Sequence, residues 1–211
     1  MPERFFVTGA DTGVGKTAVS ALLCAALPAI YWKPIQTGSR EGTDRNTVMH
    51  LAELPRSRTR PESYIFTPPV SPHLAARMAG SRIELRKIKL PELFAGDNLV
   101  AEGAGGALVP INRTQLTTDL MRHLGLPVLL VSRTSLGTIN HTLLSLAALR
   151  EARLDILGVI LVGKKNLENR KAIEHYGETA VIGWLPLLKR LNRGALLSAY
   201  RKHFDRKAFE R

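Results

Sequence analysis

Residues 5–28 read FFVTGADTGVGKTAVSALLCAALP, an apolar run, then a glycine-rich turn, then a string of helix formers. Phe5, Phe6 and Val7 suit a strand buried on both faces of a parallel sheet. AVSALLCAAL suits a helix that stops at Pro28. Between them lie Gly9, Gly13 and Gly15, with Lys16 and Thr17 opening the helix. In such a turn successive backbone N–H groups and the helix N-terminus face an anion. The lysine reaches the outer phosphates of a nucleotide and the hydroxyl binds magnesium. A ligand-free turn would have no need of G-K-T directly after a buried strand, so the segment is read as a phosphate-binding loop. One detail is unusual. The common spacing leaves four residues between the glycines, whereas here five separate Gly9 from Gly15 and Ala10 holds the usual glycine position.

The rest of the chain says what surrounds that loop. Its 211 residues, 45% hydrophobic, suffice for one sizeable core, and one domain over 1–211 is expected. No apolar stretch approaches the roughly 18 residues needed to span a bilayer, and the N-terminus lacks the pattern of a signal peptide. The lone Cys24 excludes an internal disulfide and favours a reducing, cytoplasmic setting as a small core residue. The net charge of +12 is spread over clusters at 56–60, 82–89, 164–171 and 201–211. No aromatic residues interleave with these clusters as a single-strand platform requires. We read them as a basic surface suited to small anions, with no nucleic-acid or membrane partner.

Short apolar runs alternate with helical patterns, as in a doubly wound, mostly parallel sheet with helices on both faces. Strands are expected at 4–8, 30–34, 98–102, 127–132, 157–162 and 180–185. Helices are expected at 16–27, 44–54, 72–79, 115–124, 138–152 and 187–204, with 55–70 as a proline-rich surface loop. Ligands of such sheets sit beyond the carboxyl ends of the strands, so the motifs there matter most. KPIQTGS, 33–39, puts Lys33 at a strand end with Thr37 close behind. AEGAGG, 101–106, puts Glu102 at another, suited to a magnesium contact, with glycines that let backbone approach a ligand. VSPH, 70–73, offers Ser71 as a cap with Pro72 at the first helical position. SLGTINH, 135–141, opens a helix whose N–H groups would welcome a carboxylate. The six histidines show no metal-ligand spacing, and no G-x-S-x-G nucleophile turn occurs. The chemistry reads as phosphoryl transfer.

Taken in order, TGADTGVGKT, KPIQTGS, SPH, AEGAGG, LGTINH and GWLP resemble the dethiobiotin synthetase family, over residues 4 to about 186. That family's loop, G-T-D-T-x-V-G-K-T, also has five residues between its glycines, so the displaced Gly9 is its normal form. The resemblance implies a nucleotide-binding α/β fold and the ATP-dependent carboxylation and ring closure of 7,8-diaminononanoate with carbon dioxide. The route runs through a carbamate and a carbamic–phosphoric anhydride. It also implies Mg2+ and a homodimer. Lys33, Lys16 and Thr12 match catalytic positions, and Thr17, Asp44 and Glu102 match the metal ligands. The nucleotide set comprises Gly13, Val14, Gly15, Lys16, Thr17, Ala18, Asp44, Glu102, Gly103, Ala104, Gly105, Val162, Gly163, Pro186, Leu187 and Leu188. Thr37, Ser71, Gly137, Thr138, Ile139 and Asn140 match substrate contacts, with 137–140 supplied by the neighbouring subunit.

Two departures stand out. For the second metal ligand Asp44 and Thr47 both fit the spacing; Asp44 is favoured because an aspartate there would cap its helix and face the phosphates. Where the family often reads adenine with an asparagine, this chain has Val162 and Gly163, which leaves room for other nucleoside triphosphates. The rival readings are a partition-type ATPase and a cobyric acid synthase-type amidoligase. The first would carry a second lysine where Asp11 stands; the second would carry a glutaminase domain.

Overall fold

The computed structural model describes residues 4–209. Its centre is a seven-stranded parallel sheet in the order β4-β2-β6-β1-β7-β8-β9. The central strand is β1 (Arg4–Gly9), flanked by β6 (Leu99–Gly106) and β7 (Val128–Arg133). Outward lie β2 (Ile30–Trp32) and β4 (Thr59–Arg60) on one side, β8 (Ile156–Val162) and β9 (Val181–Leu185) on the other. The strand period of two divides β1 between two cores. Phe5 and Val7 pack with Leu22, Leu23, Val48 and Leu196, from α1 (Lys16–Ala26), α2 (Asp44–Ala52) and α7 (Arg193–His203). Phe6 faces the opposite core, with Ala75, Met121, Leu146 and Ile173. Those residues come from α3 (Pro72–Met78), α4 (Thr117–Leu124), α5 (Thr138–Glu151) and α6 (Leu167–Gly177). This is the expected doubly wound sheet with helices on both faces.

Several local expectations are corrected. The 55–70 segment is not plain loop: Thr59–Arg60 forms the edge strand β4, and β5 (Tyr64–Ile65) pairs in parallel with β3 (Ile35–Gln36). Strands of two residues show no period, so nothing in the sequence marks them. Strand β2 ends at Trp32 rather than residue 34, and Pro34, with no N–H of its own, accepts from Ser63 and Tyr64 through its carbonyl. The helix expected from 187 begins at Arg193, after an Asn192 cap that accepts from Ala195 N–H. Helix α6 fell in what read as a basic surface cluster. It buries only Ile173 and Gly177, so its apolar stripe is too sparse to register.

Candidate active site

The loop between β1 and α1 sits at the carboxyl end of the sheet, as the strand-turn-helix reading requires. Gly13 and Gly15 take positive φ of 67° and 102°, a region costly for any residue with a Cβ. Gly9 is needed for a different reason. A Cβ there would lie 2.7 Å from the Asp11 carbonyl oxygen and 3.0 Å from Lys16 Nζ. The glycine therefore lets the loop fold back over the start of the helix and seats the lysine, whose Nζ donates to Asp11 O at 3.2 Å.

Beside the loop opens a cavity of about 530 Å3, lined by loop residues Thr12, Gly13, Gly15, Lys16 and Thr17. Lys33, Gln36, Thr37, Asp44, Ser71, Glu102, Ala104 and Gly105 complete most of the wall. Four elements converge there on one charged cluster. Lys33 Nζ meets Asp44 Oδ2 at 2.8 Å, Glu102 Oε1 at 3.1 Å and the Gly103 carbonyl at 3.2 Å. Those contacts use all three ammonium donors. Thr17 Oγ1 donates to Asp44 Oδ1 at 3.1 Å or to Glu102 Oε1 at 3.0 Å. The Tyr31 hydroxyl donates to Glu102 Oε2 at 3.0 Å from full burial. An uncompensated buried carboxylate would be costly; Glu102, 1% exposed, is held by donors on both oxygens.

The electrostatics follow. Burial alone would lower the Lys33 pKa, but Glu102 and Asp44 outweigh it and the ammonium is held above its ordinary value. Burial alone would raise Asp44, yet Lys33 prevails and keeps it below the usual range. Lys16, without so close a carboxylate, is pushed down by burial to about 8. Burial also drives the Tyr31 and Cys24 groups up, so both stay protonated.

Asp44 lines the cavity, whereas Thr47 turns back to bond the Thr43 carbonyl at 3.3 Å. Asp44 is not the cap, however. Thr43 is, accepting from Asn46 N–H, and Asp44 in the first helical position is left to point at Lys33. Its own N–H goes to Gln36 Oε1 at 3.0 Å, a supporting contact that the sequence did not single out. Ser71 likewise makes no capping bond with its side chain; its Oγ lies 3.1 Å from His73 Nδ1. Strand β6 does not stop at Glu102 but continues to Gly106, and the space at Gly103 is taken by Phe6, 2.8 Å from where a Cβ would sit. The absence of a side chain at 103 thus serves packing, not ligand approach.

A second cavity, about 400 Å3, adjoins the loop's other side and is lined by Gly13, Val14, Gly15, Arg133, Thr134, Ser135, Val162, Gly163, Lys164 and Leu187. Pro186 is not among that lining, and Leu188 and Ala18 are partly buried against the core that holds Leu22, Leu23 and Leu196. Residues 137–140 do not reach either cavity. Gly137 precedes α5, Ile139 packs against the core and Asn140 is exposed. Thr138 is buried with its hydroxyl bonded to the Arg133 carbonyl and 3.1 Å from Ser132 Oγ.

A parallel sheet, a glycine-rich loop before α1 and a cavity at the strand ends lined by two lysines and two carboxylates define a protein of the phosphate-loop nucleotide-binding class. Solved structures agree on the fold. A ParA family ATPase from Chlorobium tepidum superposes with a TM-score of 0.57 at 16% identity, over 94% of this chain and 90% of that one. The MinD cell division protein of Aquifex aeolicus gives 0.50 at 15%, covering 95% and 96%. The AAA domain family matches residues 3–195. Closer kinship lies elsewhere: the chain is 44% identical over 205 residues to the ATP-dependent dethiobiotin synthetase BioD of Rhodopseudomonas palustris strain HaA2, covering 97% of this chain and 95% of that protein. With BioD of Paramagnetospirillum magneticum it shares 51% over 177 residues, 84% of each. It also matches 40% of the length of a bifunctional biotin biosynthesis protein, BioCD, from Bordetella avium, at 50% identity. The chain belongs to the dethiobiotin synthetase family.

Proposed function

We propose that the protein is an ATP-dependent dethiobiotin synthetase acting in biotin biosynthesis. The observation that carries this reading is the convergence of Lys33, Asp44, Glu102 and Thr17 on the cavity under the phosphate loop. One amine of 7,8-diaminononanoate takes up carbon dioxide and loses a proton, giving a carbamate. A carbamate oxygen then bonds to the terminal phosphorus of ATP as the bond to ADP breaks. The second amine attacks the activated carbonyl, loses its proton, expels phosphate and closes the ureido ring.

Each step needs anions held together more than it needs a covalent helper. Lys16, at the start of α1, balances the outer phosphates, and Lys33 sits where carbamate and phosphate would meet. Thr12, Thr37 and Ser71 line the same wall and position the diamine. Loop N–H groups from Gly13 to Ala18 cradle the phosphates. Thr17, Asp44 and Glu102 offer a hydroxyl and two carboxylates, hard oxygen donors that suit Mg2+, which typically takes one or two carboxylates with phosphate and water. Thr17 Oγ1 lies 3.1 Å from Asp44 Oδ1 and 3.0 Å from Glu102 Oε1. Magnesium bound there would neutralise phosphate charge. The base would enter the second cavity, beside Val162, Gly163 and Leu187.

A second copy of the chain completes the reading, with its Gly137, Thr138, Ile139 and Asn140 meeting the substrate carboxylate. Leu108, Leu136 and Leu144 are exposed near this face, and Leu108, Leu144, His141 and Thr12 line a hollow of about 460 Å3. Sedimentation at micromolar protein tests that pairing. A cytoplasmic setting goes with the biosynthetic role. The deciding experiment is ADP release and dethiobiotin formation by the purified protein, dependent on diaminononanoate and bicarbonate, run in parallel with ATP, GTP and CTP. Diamine-independent nucleotide hydrolysis without product would overturn the reading in favour of an ATPase.

A further inference from the structure

At the end of β7 the side chain of Arg133 crosses to the phosphate loop. One terminal nitrogen, Nη2, donates to the Thr12 carbonyl at 3.1 Å and to the Gly13 carbonyl at 2.9 Å. The carbonyl before these, on Asp11, is held by Lys16 Nζ at 3.2 Å. Three successive carbonyl oxygens of the loop are therefore each met by a cation. No cis peptide occurs among the described residues, and in a trans peptide the C=O and N–H point to opposite sides. Pulling the carbonyls of 12 and 13 toward β7 therefore turns the N–H groups of Gly13 and Val14 away from it. Gly13 and Gly15 line both cavities, the first of which does not include Arg133 in its lining and the second of which does. Gly13 shows the same dependence sterically, since a Cβ there would stand 3.0 Å from the guanidinium.

Resting on the nucleotide-site reading above, we propose that Arg133 is a positioning residue. It holds the loop's peptide planes in the orientation that presents N–H groups to phosphate. Its own backbone is fixed in turn: the Arg133 carbonyl accepts from Thr138 Oγ1, and Ser132 Oγ lies 2.7 Å from Thr142 Oγ1. The start of α5 is thereby tied to the loop through one residue. Lys16 must leave Asp11 to reach a phosphate, whereas the Arg133 contacts need not break, so Arg133 is the cation that stays with the loop.

The test is nucleotide binding rather than turnover, so that it can succeed or fail independently of the ligase reading. Calorimetry with MgADP and with a non-hydrolysable MgATP analogue compares wild type, Arg133→Met and Arg133→Lys. The proposal expects Arg133→Met to weaken both ligands alike, by about tenfold, the scale of a hydrogen bond from a charged group. The loss falls on KM for nucleotide more than on kcat, and Arg133→Lys recovers only part because its donors lack the guanidinium's reach. Guanidinium ion at tens of millimolar restores binding in Arg133→Gly, which separates the effect from misfolding. Unchanged affinity in Arg133→Met overturns the proposal, as does a loss confined to the triphosphate, which would make Arg133 a direct phosphate contact. If the wild type binds neither nucleotide, the nucleotide-site reading itself falls.

Discussion

The two cavities flanking the phosphate loop are built in opposite ways. The cavity we assign to the phosphates is built of ionised side chains: Lys16 and Lys33 against Asp44 and Glu102, with Thr17 and Tyr31 bonding the carboxylates. In the cavity we assign to the base, no carboxamide is among the described lining residues, whose polar side chains are those of Arg133, Thr134, Ser135 and Lys164. At Gly163 the backbone is already engaged, since its N–H donates to the Leu185 carbonyl and its own carbonyl accepts from Trp184 Nε1 at 2.9 Å. Val162 offers only methyl groups, packed 3.1 Å from where a Cβ on Gly15 would be. Phosphates carry fixed charge whatever the base, so under that assignment the first cavity demands paired charges and the second, with a mostly apolar surface, demands less.

The sharpest break in that contrast is Lys33→Ala. Loss of one preorganised donor typically costs about 10² to 10³ in turnover; here kcat should fall by that order while MgADP affinity, measured separately, stays near wild type. Normal turnover in this variant would remove Lys33 from the chemistry. Next comes Tyr31→Phe, which leaves Glu102 Oε2 buried without its donor. A destabilisation of about 1–3 kcal/mol is expected in urea unfolding, and its absence would mean that Glu102 does not need the hydroxyl.

A pH series probes Lys16, whose pKa is lowered to about 8. Phosphates favour its ammonium form, so binding near pH 8 takes up a proton, and nucleotide affinity drops about tenfold from pH 7 to 9 if deprotonation governs it. Calorimetry in buffers of different ionisation enthalpy reads that proton. The unliganded protein carries the opposite slope from this group. The unfolded lysine keeps its proton up to near 10.5, so between about 8 and 10.5 Lys16 contributes increasing stability as pH rises. Smallest of all is the expected effect of the base. ATP, GTP and CTP should support turnover within about tenfold of one another, since an apolar wall discriminates weakly. Val162→Asn should spread those rates; equal and strong preference for ATP in both proteins would show that another residue reads the base.

How much could be read from the chain alone varies by region. The loop, α1 and the long strands follow from period and glycine placement, and Lys33 and Glu102 were found because each closes an apolar run. Asp44 was found for a partly mistaken reason, since Thr43 does the capping. Tyr31, Gln36 and Arg133 escaped notice because they act on other site groups from distant positions: Tyr31 on Glu102, 71 residues on; Gln36 on Asp44; Arg133 on a carbonyl 121 residues back. No spacing along the chain encodes such a partner.

The sequence by itself determined that a strand, a phosphate-binding turn and a helix would follow one another, because backbone sterics and hydrophobic period act over a few residues. It also determined the family, because the motifs occur in order. Only the tertiary structure decided which charges meet. Lys33, Asp44 and Glu102 come from three elements that the parallel sheet brings to one end, and the sign of each pKa shift depends on distance and burial, which no linear spacing contains.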